Sequence, residues 1–305
     1  MAKKIIVTDK LAEGGMKVLR ESGFEVKEAW DIPKDQLPGI IGEYDAIIVR
    51  SATKVRGELL EKASALKVIG RAGVGLDNVD AEAAEKKNII VRNTPAATSV
   101  SVAELCFAYM LGMTRDIVTG TIGLREGKWL KNELSSTEVM GKTLGIIGFG
   151  RIGREFAKRA VAFGMKVIAS IHVNIPKSEP GVEFTRNMDE IFAKADYISF
   201  HTPLTDESHH MISTEQFKKM KKGVIIIDCG RGGVIDLDAL YGAMKEGIVA
   251  KAGLDVFETE PPGKHELFEL PNVYGTPHIG AQTKEGQLRA GVEVAELVVE
   301  ELKKL

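Results

Sequence analysis

One short segment constrains the fold of this chain more than any other: residues 148–153 read Gly-Phe-Gly-Arg-Ile-Gly. An apolar run at residues 144–147 precedes it, and an amphipathic stretch at residues 154–163 follows it. In such a strand–turn–helix context the first glycine permits the tight turn, the second lets the backbone approach a pyrophosphate, and the third lets helix and strand pack closely. The pyrophosphate then lies at the helix N-terminus, where unpaired N–H groups point outward. The segment therefore predicts a dinucleotide-binding parallel sheet.

Short apolar runs alternate with amphipathic stretches along most of the chain, in two series. Continuous apolar strands separated by helices are typical of parallel sheets that are covered on both faces. The predicted strands of the two series are residues 5–7, 46–49, 67–69 and 89–91, and residues 144–147, 166–169, 197–200, 224–227 and 250–254. We therefore expect an α/β fold of two Rossmann-like, doubly wound parallel-sheet domains with a cleft between them.

Two further helices are predicted outside these series. Ser101 and Glu104 have the spacing of a capping box, which predicts a helix that begins at Ser101 and continues to Met113. Because this helix is apolar on almost every side, we expect it to be buried. A long amphipathic helix, with apolar residues spaced from Leu288 to Leu302, ends the chain.

Composition and charge exclude several classes of function. A chain of 305 residues suits about two domains. Its 41 basic and 43 acidic residues give a net charge of −2, which offers no electrostatic footprint for nucleic acid or an anionic membrane. The most apolar stretch, residues 105–113, is too short to span a bilayer, and no signal peptide is recognisable at the N-terminus. Cys106 and Cys229 suit neither a disulfide framework nor a metal site. We expect a cytoplasmic protein.

The dinucleotide fingerprint also calls for an acidic residue about 20 residues beyond the glycines, at the end of the second strand. In this chain no acidic residue appears there before Glu179, and the nearby cations are His172 and Lys177. The missing carboxylate removes repulsion against a 2′-phosphate, but no arginine is present to hold one. We therefore expect NAD as the cofactor, with NADP as an open alternative and His172 as a candidate contact.

Four segments, in this order, resemble those of the D-isomer-specific 2-hydroxyacid dehydrogenases. They are residues 148–153, Cys-Gly-Arg-Gly-Gly at 229–233, Gly-Leu-Asp-Val-Phe at 253–257 and Thr-Pro-His-Ile-Gly-Ala at 276–281. The resemblance implies hydride transfer between NAD and a small 2-hydroxy or 2-keto acid. It also implies a discontinuous, flavodoxin-like substrate-binding domain at residues 1–97 and 282–305. Residues 98–281 would then form an NAD-binding Rossmann domain that carries the dimerisation segment of a homodimer.

The N-terminal half is most similar to the family members that act on D-3-phosphoglycerate, at the entry to serine biosynthesis. The similar segments in that half are residues 49–55, 70–80 and 93–95, and residues 127–129 and 258–262 continue the similarity. Longer members carry C-terminal regulatory domains, so we expect a chain that ends at Leu305 to lack that feedback control. Two alternatives stay open: a glyoxylate or hydroxypyruvate reductase, or another D-2-hydroxyacid dehydrogenase such as a D-lactate enzyme, and a dinucleotide-sensing binding protein similar to the family's corepressors.

Three residues are the candidates for catalysis. His278 can take the hydroxyl proton and return it, because imidazole titrates near neutral pH. Glu260, similar to the family's acidic partner, would hydrogen-bond the imidazole and stabilise its protonated form. Arg231 offers a permanently charged fork that can bind a carboxylate with two hydrogen bonds and polarise the neighbouring carbonyl.

The resemblance also carries over the cofactor contacts. Thr202 would lie by the adenosine, and Asp255 would accept a hydrogen bond from the nicotinamide carboxamide, although Asp228 and Gln282 stand where asparagine and serine are common in the family. The candidate cofactor-binding residues are Val74, Gly148, Gly150, Arg151, Ile152, Gly153, His172, Thr202, Cys229, Gly230, Arg231, Asp255, His278, Gly280 and Ala281.

For the substrate, the backbone N–H groups of Val74 and Gly75 are placed to cradle a carboxylate, together with Arg231. Arg50 and Lys54, next to Ser51, are the candidates for a distal phosphate. Lys128 or Lys131 of the partner subunit are the alternatives. The other histidines show no metal-ligand spacing, so no metal site is predicted; they are His201, His209, His210 and His265.

Overall fold

The structure is a computed structural model that describes residues 3–171 and 179–305. The chain divides into two compact units, one made of residues 1–99 and 281–305 and the other of residues 100–280. The C-terminal helix therefore belongs to the same unit as the N-terminal strands. Among the described residues, no helix combines the length and the apolar character that a bilayer crossing needs.

The first unit is built on a parallel sheet of five strands within the described residues, in the order β2-β1-β3-β4-β5. This is the flavodoxin-like strand order. The strands are β1 (Lys4–Val7), β2 (Glu25–Glu28), β3 (Ala46–Val49), β4 (Val68–Arg71) and β5 (Ile90–Asn93). The helices are α1 (Glu13–Arg20), α2 (Glu58–Lys62), α3 (Ala81–Lys86) and α10 (Lys284–Lys304), with 3₁₀ turns at Lys34–Gly39 and Ile41–Glu43.

Helix α10 completes the core of this unit. Thr283 caps its N-terminus by accepting a hydrogen bond from the Gly286 N–H at 3.0 Å. The buried side chains of Val294 and Val298 then pack among the strand residues of the five-stranded sheet. On its other side α10 lies against α1 so closely that a Cβ added at Gly15 would overlap the carbonyl oxygen of Gly291.

The second unit is built on a parallel sheet of seven strands within the described part of the chain, in the order β12-β11-β10-β9-β6-β7-β8. The strands are β6 (Thr143–Ile147), β7 (Lys166–Ser170), β8 (Val182–Thr185), β9 (Tyr197–Phe200), β10 (Val224–Asp228), β11 (Val249–Leu254) and β12 (Val273–Gly275). The helices are α4 (Ser99–Thr114), α5 (Ile117–Arg125), α6 (Arg151–Ala162), α7 (Met188–Lys194), α8 (Thr214–Lys218) and α9 (Leu237–Lys245), with a 3₁₀ turn at Glu266–Glu269.

This strand order is that of a Rossmann sheet with one added strand, and it changes direction between β6 and β9. Ligands of such sheets bind beyond the carboxyl ends of the strands at this switch point. The expected α/β fold with two doubly wound parallel sheets is confirmed.

Several predicted element boundaries were wrong. Helix α4 begins at Ser99, so Ser101 lies inside the helix and is not its N-cap. Its expected burial is confirmed, because Cys106, Met110 and Met113 are fully buried. The strands β2, β8 and β12 have no counterpart in the predicted set; each lies at the edge of its sheet, is three or four residues long and is only partly apolar.

The close approach of α1 to α10 predicts the effect of adding one methyl group. Gly15→Ala should lower the free energy of unfolding by about 1–3 kcal/mol, because the new Cβ forces the two helices apart. Gly242→Ala is the matched control, since nothing lies within 4 Å of a Cβ added in α9 and alanine there should raise stability by up to about 1 kcal/mol. Urea denaturation measures both changes, and an unaltered midpoint for Gly15→Ala would contradict this packing.

Candidate active site

The glycine loop follows β6. Two of its glycines have no room for a side chain, and the third faces open space. Gly148 has φ +95°, and a Cβ there would come within 2.7 Å of the His201 backbone. A Cβ at Gly153 would come within 2.7 Å of the Gly148 carbonyl oxygen. At Gly150, by contrast, an added Cβ would meet nothing within 4 Å. Because α6 begins at the next residue, its first N–H groups lie at the position where the glycine fingerprint predicts a pyrophosphate.

The end of β9 supplies two polar atoms beside this loop. Among the described residues, Nδ1 of His201 and Oγ1 of Thr202 are buried and have no hydrogen-bond partner. Burial lowers the pKa of His201 to about 4, so the ring is neutral near pH 7, and its Nε2 lies 3.0 Å from Ser199 Oγ. A buried hydroxyl without a partner is costly unless a ligand satisfies it. The site therefore fits a polar dinucleotide.

His278 and Glu260 form a hydrogen-bonded pair. The Nδ1–H of His278 donates to Glu260 Oε2 at 2.8 Å and to Oε1 at 3.0 Å. Glu260 Oε1 also accepts from the Phe257 N–H at 3.2 Å, which orients the carboxylate. Since Nδ1 is held by Glu260, Nε2 is the ring nitrogen that can exchange a proton with another molecule. The side chains are 48% and 40% exposed, so the pair is accessible.

A cavity of about 500 Å³ adjoins this pair. The rings of Phe257 and Phe268 and the side chains of Pro261 and Pro262 make most of its wall apolar. Such a wall strengthens the attraction between a carboxylate and an imidazolium, because it displaces water from one side of the pair.

The buried carboxylate of Asp255, 1% exposed, fixes the loop that carries His278. Asp255 follows β11, and its oxygens accept from Thr276 Oγ1 at 2.5 Å and from the N–H groups of Ile279 and Gly280 at 2.7 Å each. These bonds bracket His278, whose backbone has the uncommon φ of +53°. The sequence-based role of Asp255 toward a carboxamide stays a prediction, while these contacts give it a positioning role that the sequence reasoning missed.

Tyr109 is a second residue that the sequence reasoning missed. It lies on α4, and its hydroxyl is 2.6 Å from Thr276 Oγ1 and donates to the Leu254 carbonyl at 3.0 Å. Burial raises the pKa of Tyr109 above its ordinary value, so the phenol keeps its proton. A tyrosine in an otherwise apolar, buried helix was the available signal, because a buried hydroxyl requires a partner.

Arg231 lies on the loop that follows β10. Its Nη1 donates to the Gly230 carbonyl at 2.8 Å. A Cβ at Gly232 would overlap the backbone of Phe257, so this loop packs directly on the segment that leads to Glu260. The structure thus brings His278 and Glu260 into contact and places the loop of Arg231 against the segment that bears Glu260.

The remaining sequence-predicted cofactor residues of the glycine loop and its surroundings lie in different places. Arg151 and Ile152 form the first turn of α6, as the fingerprint requires. Cys229 is buried, and burial raises the pKa of its thiol well above the ordinary value, so it is no thiolate nucleophile. Ala281 belongs to the other unit, and His172 lies outside the described residues.

Asp228 ends β10 and is fully buried. Burial raises its pKa to about 7, although the Gly230 N–H, at 2.9 Å from Oδ1, and the charge of Arg231 oppose the shift. Near neutral pH this carboxyl is therefore protonated in about half of the molecules. A protonated carboxyl offers a donor and an acceptor, as the amide of asparagine does.

The predicted substrate residues lie at the carboxyl ends of the first unit's strands. Arg50 follows β3, and its N–H donates to Asp9 Oδ2 at 2.7 Å while its Nη2 donates to Gln282 Oε1 at 3.2 Å. Burial lowers the pKa of Arg50, and the charge of Asp9 opposes the shift. The Asn93 amide donates to the Val74 carbonyl at 2.6 Å and fixes the predicted cradle. The other predicted contacts are the exposed Ser51 and Lys54 and the partly buried Gly75.

The second unit combines a parallel sheet, a glycine loop that fits a dinucleotide and a histidine–carboxylate pair. Together these features define a class of dinucleotide-dependent proteins. The family model "D-isomer specific 2-hydroxyacid dehydrogenase, NAD binding domain" matches residues 107–280. The chain belongs to the D-isomer specific 2-hydroxyacid dehydrogenase family. Its expected cofactor, NAD, is confirmed by this match.

Three relatives illustrate the breadth of the similarity. The D-3-phosphoglycerate dehydrogenase of Methanocaldococcus jannaschii is 49% identical over 97% of this chain and 56% of its own length, so this chain spans about half of that relative. The hydroxypyruvate reductase of Thermotoga maritima is 50% identical over 89% of each chain. The D-lactate dehydrogenase of Aquifex aeolicus, crystallised with NAD and lactic acid, is 31% identical, with a TM-score of 0.84 over 99% of this chain and 96% of its own.

The raised pKa of Asp228 predicts how its replacement changes stability with pH. Between its ordinary pKa, 3.8, and about 7 the folded chain keeps a proton that the unfolded chain releases, so this group costs stability as pH rises through that window. Asp228→Asn removes the cost. We expect the variant to match the wild type near pH 4 and to exceed it by a few kcal/mol at pH 8.

Urea denaturation at both pH values measures this difference. Asp236→Asn is the control of opposite sign: Asp236 is partly buried but accepts from the Ala239 N–H and Ser213 Oγ, which lower its pKa. Its carboxylate therefore stabilises the fold above its ordinary pKa and loses that contribution on acidification. An Asp228→Asn effect that is equal at the two pH values would contradict the assignment.

Proposed function

We propose that the protein is an NAD-dependent oxidoreductase that interconverts D-3-phosphoglycerate and 3-phosphohydroxypyruvate, a step that supplies serine biosynthesis. The observation that carries the proposal is the His278–Glu260 pair, held by Asp255 at the carboxyl edge of the NAD-binding sheet. A proton-exchanging imidazole beside a bound nicotinamide is what oxidation of a secondary alcohol needs.

In this proposal His278 Nε2 takes the proton of the substrate's 2-hydroxyl group. Glu260 then stabilises the imidazolium through the Nδ1–H hydrogen bond. Arg231 binds the substrate carboxylate and polarises the neighbouring carbonyl oxygen. The glycine loop of residues 148–153 would hold NAD, which would supply the hydride acceptor for the carbon that bears this hydroxyl group. In the reducing direction His278 returns its proton to the carbonyl oxygen.

The phosphate group of the substrate is assigned to Arg50, with Ser51 and Lys54 beside it. The support is the placement of Arg50, whose backbone is tied to the buried Asp9 while its guanidinium extends toward Gln282. The backbone N–H groups of Val74 and Gly75 are assigned to the carboxylate. The names of several relatives support a phosphorylated substrate.

We further propose a cytoplasmic homodimer that forms through residues 98–134. Apolar side chains are exposed along this segment, and contiguous apolar exposure is typical of an interface with another chain. They are Val100, Ile117, Val118, Ile122, Leu124 and Trp129. The free thiols of Cys106 and Cys229 support a reducing compartment.

The experiment is an NADH-oxidation assay with phosphohydroxypyruvate, hydroxypyruvate, glyoxylate and pyruvate. We expect the highest kcat/KM for phosphohydroxypyruvate. A preference for hydroxypyruvate or glyoxylate would favour the reductase alternative, which the relative of matching length supports. A chain that binds NADH but turns over none of these acids would belong to the binding class.

The Arg50→Ala variant tests the substrate assignment in the same assay. Loss of a charged hydrogen-bonding partner should raise the KM for phosphohydroxypyruvate by roughly ten- to hundredfold and leave the KM for hydroxypyruvate nearly unchanged. Arg56→Ala removes an exposed cation nearby in the sequence and serves as the control. An equal response of both substrates to Arg50→Ala would overturn the phosphate assignment.

A further inference from the structure

Three potential metal ligands converge at the carboxyl edge of the seven-stranded sheet, outside the catalytic pair. They are His209 and His210, in the loop that follows β9, and Glu258, which follows β11. One ligand atom from each residue, a ring nitrogen of each histidine and a carboxylate oxygen of Glu258, lies within 4.8 Å of the other two. The side chains are 46%, 39% and 50% exposed, so an ion can reach them from solvent and keep water ligands.

The local backbone explains how two adjacent histidines face the same carboxylate. Side chains of neighbouring residues in an extended chain point to opposite sides. His210 instead has φ +50°, and its N–H donates to the Gly233 carbonyl at 2.7 Å. The two imidazole rings stack with centroids 4.0 Å apart and planes inclined by 21°. The loop is thus folded so that both Nε2 atoms point the same way.

Each ring nitrogen reaches a different oxygen of one carboxylate. His209 Nε2 lies 3.0 Å from Glu258 Oε1, and His210 Nε2 lies 3.0 Å from Glu258 Oε2. In tetrahedral zinc sites the Zn–N and Zn–O bonds are about 2.0–2.2 Å, which separates the ligand atoms by roughly 3.3–3.5 Å. The three ligand atoms already lie within 4.8 Å of one another, so small side-chain rotations would bring one nitrogen of each ring and one carboxylate oxygen to this separation around an ion.

We propose that His209, His210 and Glu258 form a binding site for a divalent transition-metal ion of the zinc type. Two imidazoles and one carboxylate are the ligand set that zinc takes in sites with an open position. The spacing in the sequence does not predict this site, because the carboxylate is 48 residues beyond His210 in the chain. Bound metal would tie the loop after β9 to the segment that bears Glu260, two residues beyond Glu258.

The test is isothermal titration calorimetry of the full chain, without a histidine tag, with zinc chloride as the probe. We expect one saturable site, and His209→Asn, His210→Asn and Glu258→Gln should each weaken zinc binding at least roughly tenfold. His265→Asn is the matched control, because His265 Nε2 pairs with Asp238 Oδ1 at 3.3 Å without a second histidine. That variant should bind zinc as the wild type does.

A second measurement does not depend on calorimetry. Cobalt(II) bound by the wild type should give visible absorption bands of a nitrogen- and oxygen-ligated site, and these bands should be lost in the His209→Asn and His210→Asn variants. Zinc binding that survives both substitutions, or that disappears instead with His278→Asn, would overturn the proposal. So would the absence of saturable binding by the wild type. None of these readouts requires turnover, so the proposed function and the metal site can fail independently.

Discussion

The site depends on the hydrogen bonds that the buried carboxylate of Asp255 accepts. This carboxylate joins the end of β11 to the loop after β12 through one hydroxyl and two backbone N–H groups. A buried charge is tolerated only when it is hydrogen-bonded, and these donors meet that requirement. The same bonds fix the backbone on both sides of His278, whose ring then meets Glu260. The position of the imidazole is therefore set by the fold and does not rely on the exposed pair alone.

The parallel sheet makes this arrangement possible, because the carboxyl ends of neighbouring strands meet at one edge. The loops after β6, β9, β10, β11 and β12 bring the glycine loop, Thr202, Arg231, Glu260 and His278 to that edge. Tyr109 adds a contribution from α4, where its hydroxyl joins Thr276 and the Leu254 carbonyl. Residues that are far apart in the chain thus lie together at one edge of the second unit's sheet.

Much of the fold could be predicted from the sequence. The elements that were missed or misplaced have a physical reason for escaping notice. Buried strands such as β3 consist of apolar, mostly β-branched residues, and the glycine loop needs its three glycines, so both are visible as patterns. The edge strands β2 and β8 contain no fully buried residue and mix exposed polar residues with partly buried ones, so in sequence they resemble loops. The start of α4 was misplaced because Ser101 and Glu104 have capping spacing within the helix.

In the candidate site, too, some residues could be predicted from the sequence and others could not. His278, Glu260 and Arg231 lie in segments whose residue types reveal their chemistry. The positioning roles of Asp255 and Tyr109 depend on contacts between strands and a helix that are distant in sequence, 145 residues apart for Tyr109 and Leu254. A local pattern can indicate that a buried hydroxyl needs a partner, but it does not identify that partner. His209 and His210 likewise face Glu258 only because the backbone at His210 is left-handed, which the sequence does not reveal.

The most direct test of the account is the turnover of the His278→Gln variant. Glutamine keeps a hydrogen-bond donor for Glu260 but cannot exchange a proton near neutral pH. We expect that kcat for NADH-dependent reduction of the preferred 2-keto acid falls by about 10²–10⁴-fold, while NADH affinity measured by fluorescence is unchanged. A variant that retains the kcat of the wild type would contradict the assignment of His278 as the proton donor.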